Sequence, residues 1–230
     1  MRRMYLSGLA LVVGLVACTG RPATPPDAGS PAGPDPVEMV DLPAPRSQSA
    51  VSLEETLLDR RSVRAFTDQG LTLVELSQLL WATQGITAEW GGRTAPSAGA
   101  LYPLEVYLVT PDALYHYLPE GHRAEVLSDE DLRIELTRAA LDEPAVYGAP
   151  AVFVITAVYA RTAAKYGERG ERYVHLEAGH AAQNLLLQAG ALGLAGVPIG
   201  AFSDDDVARV LDLPPDRVPL YLIPIGHSAE

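Results

Sequence analysis

Lys165 and Tyr166 are the two neighbouring residues of this chain best suited to moving a proton. Lysine is the cation whose basicity shifts most readily with its surroundings, and a phenol both gives and accepts a proton. Lys165 is also the single lysine among 17 basic residues, although a chance surface pair would read the same. A second group suits anion binding. Arg60-Arg61-Ser62-Val63-Arg64 places three arginines within five residues of a chain whose formal net charge is -12. Such crowding of like charge costs stability unless an anion relieves it, and guanidinium forks match phosphate oxygens two at a time. The plainer alternative is a solvated basic face pairing with Glu54, Glu55 and Asp59. Two small-residue segments add backbone chemistry. One holds Pro96, Ser97, Ala98 and Gly99, the other Pro198, Ile199 and Gly200. Small side chains let a backbone approach a flat ligand and offer it amide donors, though plain turns have this composition too. Gln183 and Asn184 interrupt an apolar helix, where a backbone partner is the ordinary need of a buried amide.

The elements that must position these residues follow from local pattern. Leu53 to Asp59 reads as a short helix running into the arginines. Thr72 with Glu75 forms a capping box that opens a helix through Trp81. Val106–Thr110 and Ala113–Leu118 read as strands joined at Pro111-Asp112. Asp129–Leu141 reads as a polar-faced helix, and the continuous apolar run Ala151–Tyr159 as a central strand buried on both faces. A long helix is expected over Glu171–Leu194, a short one over Asp204–Leu211, and a last strand over Val218–Ile225. Without a strict βαβ rhythm the expected class is α+β.

Composition narrows the chemistry. The length of 230 residues fits one domain with appendages. An acidic balance without a basic stripe argues against nucleic acid as a partner. The one cysteine rules out an internal disulfide and thiol-rich metal sites. His175 and His180 are five residues apart, so a helix does not stack them as ligands, and no metal is expected. Neither G-x-G-x-x-G after a strand nor G-x-x-x-x-G-K-[ST] occurs, so a phosphate would have to be held by side chains, with the arginine tract as the candidate.

The first residues read as targeting. Arg2 and Arg3 precede the apolar stretch Tyr5–Ala17, too short for a comfortable membrane span, which ends in Leu15-Val16-Ala17-Cys18. That ending resembles a bacterial lipobox, making residues 1–17 a signal peptide, Cys18 the lipidated residue and the chain an exported, membrane-anchored lipoprotein on the periplasmic or cell-surface side. Arg2 and Arg3 also resemble a twin-arginine export signal. Eight of the 19 prolines fall in residues 19–50, so the segment from Cys18 to residue 50 is expected to be an extended tether, with the folded domain over 51–230.

Four segments in order resemble the nitroreductase superfamily: Arg60–Phe66, Pro96–Gly99, Ala181–Leu187 and Val197–Gly200. More closely, Pro96–Glu105, Lys165-Tyr166-Gly167 and Glu177-Ala178-Gly179-His180 resemble its SagB-type dehydrogenase branch. The resemblance covers roughly residues 52–228, a typical domain length. It implies an FMN-dependent oxidoreductase of nitroreductase-like α+β fold, with a mixed central sheet flanked by helices and an intertwined homodimer binding flavin between subunits. Arg60, Arg61, Ser62 and Arg64 would hold the FMN phosphate and ribityl chain. Pro96, Ser97, Ala98 and Gly99 would contact the isoalloxazine ring, Pro198, Ile199 and Gly200 its other edge, with Gln183 and Asn184 nearby. Lys165 and Tyr166 would abstract the proton when a small-molecule or peptide azoline is oxidised. Many members carry a further basic residue after the last strand, where His227 stands here. Alternatives are an NAD(P)H-dependent nitro or quinone reductase, or a flavin-less lipoprotein module that retains the fold.

Overall fold

The computed structural model of the protein describes residues 38–229. The signal-peptide reading of residues 1–17, the lipidation reading of Cys18 and the tether up to residue 37 lie outside the described residues. Among the described residues no helix is long and apolar enough to cross a membrane.

A seven-stranded sheet forms the centre, in the order β1-β4-β3-β2-β5-β7-β6. Its strands are β1 (Met39–Asp41), β2 (Leu104–Val109), β3 (Leu114–Leu118), β4 (Arg123–Ser128), β5 (Ala151–Ala157), β6 (Ala195–Gly196) and β7 (Val218–Gly226). All pairings between these strands are antiparallel, and an isolated parallel bridge joins Ser62 to Gly196. Helices α1 (Leu53–Asp59), α2 (Leu73–Gln84), α3 (Arg133–Ala139), α4 (Pro144–Gly148), α5 (Tyr159–Tyr166), α6 (Arg169–Ala191) and α7 (Asp204–Val210) flank it. The α+β class expected from the sequence is the class observed.

Both faces of the sheet are buried, which explains the continuous apolar run of β5. Alternate strand residues point to opposite sides. Val106, Phe153, Ile155 and Ile223 pack with Leu79 and Leu80 of α2 and Ala178, Ala181 and Leu185 of α6. Tyr107, Val152, Val154 and Leu222 pack with Leu136 of α3, Val146 of α4 and Val207 of α7. Helices α1 and α2 open on reciprocal capping boxes, Ser52 with Glu55 and Thr72 with Glu75, which meet backbone donors that a helix start leaves unpaired.

The proline-rich segment needs a correction. Residues 39–46 do not act as a mobile tether but belong to the domain. Met39, Val40 and Asp41 pair with Glu125, Ala124 and Arg123. The Pro43 carbonyl accepts from Ser77 Oγ at 2.6 Å, and Arg46 N–H donates to Gln78 Oε1 at 2.7 Å. His122 Nε2 lies 2.7 Å from Ser77 Oγ, and its Nδ1 lies 2.9 Å from Tyr117 OH. That serine–histidine pair looks like a nucleophile and base. With Ser77 buried and its hydroxyl donated to a backbone carbonyl, it instead fastens the arm to α2.

Candidate functional site

The arginine tract leaves α1 at its C-cap, Arg60, whose N–H donates to Thr56 O at 3.0 Å. From there the chain runs beside the sheet edge. Val63 N–H donates to Gly196 O at 3.1 Å, and residues 65–67 run antiparallel to 227–229. Arg60, Arg61 and Val63 thus share a cavity of about 320 Å³ with Leu186, Leu194, Ala195 and Gly196. Gly196 is required there, because a Cβ would stand 2.3 Å from Ile225 Cδ1 and 2.7 Å from Pro224 O. None of Glu54, Glu55 and Asp59 closes on the arginines among the described residues. Glu55 serves the capping box, and Arg64 has Glu143 as its nearest carboxylate, at 4.0 Å. Arg61 is partly spent, since Nη1 donates to the carbonyls of Leu58 and Arg60 at 2.9 and 2.8 Å. His227 stands in register beside this tract, and its Nε2 is buried without a partner. A phosphate would relieve the crowded cations.

The two other segments divide. Pro198 and Gly200 lie at or near the surface, but Ile199 is 7% exposed and belongs to the core beneath α3 and α7. As a candidate ligand-contacting side chain Ile199 is therefore corrected. Its backbone is bound to Leu222 in both directions, at 2.8 and 3.0 Å. The Pro96–Gly99 segment opens a tight turn. Gly99 has φ 64°, and Ala100 and Tyr102 also hold positive φ, at 52° and 45°. Such left-handed residues need their surroundings to hold them; here Ser97 Oγ accepts from Tyr102 N–H at 2.9 Å.

Lys165 and Tyr166, which end α5, converge on that turn. A methyl group at Gly99 would stand 2.9 Å from Lys165 Nζ and 2.9 Å from Tyr166 OH. Tyr166 is held edge-on by Tyr173 at 5.0 Å. Helix α5 is fastened from behind, as Arg161 Nη1 donates to Tyr102 O at 3.0 Å and Arg161 pairs with Glu105. His116 Nε2 lies 2.8 Å from the same carboxylate. Burial pushes Glu105 up, but hydrogen bonding from His116 and the charge and hydrogen bond of Arg161, with the His116 charge, outweigh it and leave the carboxyl at about 2. Arg161 is thus neutralised by Glu105, and Arg169 lies over Tyr173, with Nε donating to its hydroxyl at 3.0 Å.

Gln183 proves exposed, which corrects its reading as an amide in an apolar surface, whereas Asn184 Nδ2 donates to Thr94 O at 3.2 Å. Asn184 therefore holds the segment leading into the turn. Glu177, named within the Glu177–His180 segment of the sequence resemblance but given no role there, is 2% exposed on α6. Its signal was available: it falls on the helical stripe of Val174, Ala178, Ala181 and Leu185, where a carboxylate is costly. Burial pushes Glu177 up to about 7 against hydrogen bonding from Ser97, the Arg93 charge and hydrogen bonding from Gln84.

Within one chain the structure therefore builds two clusters on one helix. The turn cluster meets α6 at Glu177, and the arginine cradle meets it near Leu186 and Gly190. Nine to thirteen residues of helix separate them, about 14–20 Å.

Residues 57–227 match the nitroreductase family model. A protein of Methanocaldococcus jannaschii described as a nitroreductase is 45% identical over 186 residues, 78% of this chain and 93% of its own. An FMN reductase (NADPH) of Bacillus subtilis is 28% identical over 76% of this chain and 66% of its own. The microcin B17-processing protein of Escherichia coli is 28% identical over 53% of this chain and 48% of its own. The chain belongs to the nitroreductase family.

Proposed function

We propose that this protein is an FMN-dependent oxidoreductase that dehydrogenates a saturated azoline ring in a small molecule or peptide. The cofactor, when bound, supplies the hydride-accepting chemistry. Arg60 and Arg64, with Ser62 and His227, hold its phosphate, and Gly196 lets the backbone come close. Lys165 would take the proton from the ring atom next to the one that loses hydride. Tyr166 orients that amine and shares the proton. The Pro96–Gly99 turn supplies small residues and backbone amides against the flat ring. From the resemblance to the family, we infer that the turn and the cradle meet on one flavin across two copies of the chain.

The observation that carries the reading is the meeting of Lys165 Nζ and Tyr166 OH at Gly99. A simple reductase needs no carbon acid deprotonated and no such pair. The kinship with a microcin-processing protein supports a peptide-derived substrate. An NAD(P)H-dependent nitro or quinone reductase is the second reading, favoured by the kinship with an FMN reductase (NADPH). Lys165→Ala and Tyr166→Phe separate the two. Both variants should keep their flavin and lose azoline oxidation by roughly 10²–10⁴-fold, the usual worth of a positioned acid–base group, while quinone reduction changes little. Equal loss of both activities would favour the second reading. A colourless, flavin-free protein would contradict both and leave a binding module.

A further inference from the structure

Helix α5 meets the segment 99–103 at three levels. At its N-cap, Val158 N–H donates to Pro103 O at 2.8 Å. One turn on, Arg161 Nη1 donates to Tyr102 O at 3.0 Å, and its Nη2 binds Glu105 Oε1. At the end of the helix Lys165 reaches Gly99, where an added methyl group would stand 2.9 Å from Nζ and 3.4 Å from Cδ. Positions 161 and 165 are four apart, so they share one face of the helix. Residues 158, 161 and 165 thus run against 103, 102 and 99 in a single seam. Only Thr162 of α5 is buried, and eight residues are too few to make a stable helix alone. Close packing at Gly170, whose Cβ would stand 2.9 Å from Ala163 N, sets α5 against α6. The seam sets it against the turn.

The middle level is anchored in the sheet. The Glu105 carboxylate divides its oxygens, Oε1 to Arg161 and Oε2 to His116, whose Nε2 lies 2.8 Å away. His116 is buried and held in turn, stacked on Tyr107 with ring centres 4.8 Å apart and with Nδ1 3.6 Å from Glu125 Oε2. Glu105 and Tyr107 belong to β2, and His116 pairs with Tyr107 from β3. The carboxylate that receives Arg161 is therefore oriented by two strands of the central sheet. A planar guanidinium bound to two acceptors is fixed in direction as well as in distance. We propose that Arg161 is a positioning residue for the proton-transfer pair: clamped between Tyr102 O and the Glu105 carboxylate that His116 orients, it sets where Lys165 and Tyr166 meet Gly99. The proposal rests on the assignment of Lys165 and Tyr166 above. Arg161 acts through α5, and misplacing a reacting group by 1 Å can cost about 10²-fold in rate. A clamp one helical turn from Lys165 therefore bears on turnover.

Because Lys165 is the sole lysine, growth on ¹³C-lysine labels one residue of the full, flavin-loaded chain. A nuclear Overhauser contact from its side chain to the Gly99 Hα protons should be present in the parent and lost in Arg161→Ala and Arg161→Gln. Both variants should fold, since the Arg161 side chain is 39% exposed. With an azoline, Arg161→Ala should lower kcat by about 10–10²-fold and leave KM, flavin content and quinone reduction little changed. Arg161→Lys should fare no better, because a point charge cannot span both acceptors. Glu105→Gln keeps an acceptor for Arg161 and should fall less than Glu105→Ala. A Lys165–Gly99 contact that persists in Arg161→Ala overturns the proposal. So does an equal fall of azoline and quinone activity, which would make Arg161 a general support of the fold. Loss of the contact with azoline oxidation unchanged would leave the clamp standing and sink the assignment of Lys165 as the base.

Discussion

The two clusters on α6 are built on opposite principles. At the Gly196 end, cations stand at the surface with few partners, and the tight feature is a glycine pressed against β7. At the Glu177 end, polar side chains are bound to one another, with Glu177 Oε1, Gln84 Nε2 and Arg93 Nε left over. Arg161 is bound to Glu105 and Tyr102, Ser97 to Tyr102, Asn184 to Thr94, and Arg93 to Gln84. An exposed cradle of three arginines, with Glu143 4.0 Å from Arg64 and Glu55 and Asp59 lining the same cavity, suits a ligand of more than one negative charge. A pre-organised pocket suits a reaction in which a proton must move over a short distance, because ordering the groups beforehand removes that cost from the reaction. On the proposed assignment, binding and chemistry sit in separate local structures and can fail separately.

Removing the cradle's charge should have the largest effect. Arg60→Ala with Arg64→Ala should weaken FMN binding by about 3 kcal/mol or more, if each gives a charge-assisted contact. Circular dichroism should be unchanged, since both side chains lie outside the core. Flavin retained in full by the double variant would show that the cradle holds no phosphate.

The turn cluster is expected to answer to pH where the cradle does not. Glu177 is raised to about 7 from 4.5, so its neutral form stabilises the fold fully below pH 4.5, and that contribution is lost as pH rises through 7. Glu105 is lowered to about 2, so its contribution is present above 4.5 and lost as pH falls through 2. Glu177→Gln should therefore gain stability over the parent between pH 4.5 and 7, approaching about 3 kcal/mol, and flatten that window. Denaturant unfolding at a series of pH values checks this. A parallel pair of curves would mean that Glu177 titrates in the fold as it does in the unfolded chain.

Two glycines sharpen the contrast at smaller cost. Gly196→Ala overpacks against Ile225 and Pro224 and should cost about 1–3 kcal/mol, with flavin lost in proportion as Ser62 and Val63 are displaced. Gly99→Ala forces a side chain into the left-handed region at about 1 kcal/mol and presses on Lys165 and Tyr166. It should keep flavin and lose azoline turnover. Thermal melts with flavin content and activity separate the two outcomes, and the same phenotype from both glycines would dissolve the distinction between cradle and turn.

What is legible in the sequence is local. Capping boxes announce α1 and α2, and a run of seven buried residues announces β5. The arginine tract and the Lys165-Tyr166 pair stand out by type and spacing. What is not legible depends on distant partners. Strand β4 carries Arg123 and Glu125 at exposed or half-buried positions and becomes a strand through pairing with β1 and β3. Two-residue β6 exists through its register with β7. Helix α5 follows the apolar run of β5 so closely that the strand pattern masks its start. Ile199 reads as a ligand-facing loop residue because nothing local reveals that its backbone docks on Leu222. Gly99 is separated by 66 positions from Lys165, a proximity that no periodicity encodes.

The central claim is that cradle and turn from different copies of the chain serve one flavin. Mixing chains tests it directly: the Arg60→Ala, Arg64→Ala chain and the Lys165→Ala chain should each be inactive toward an azoline when assembled alone. Assembled together in equal amounts, about half of the dimers are mixed, and each mixed dimer holds one site with both halves intact, restoring about a quarter of the parent activity. Activity that stays at the level of the separate variants, with mixed dimers shown to have formed, would contradict the account and place both clusters on the same flavin within a single chain.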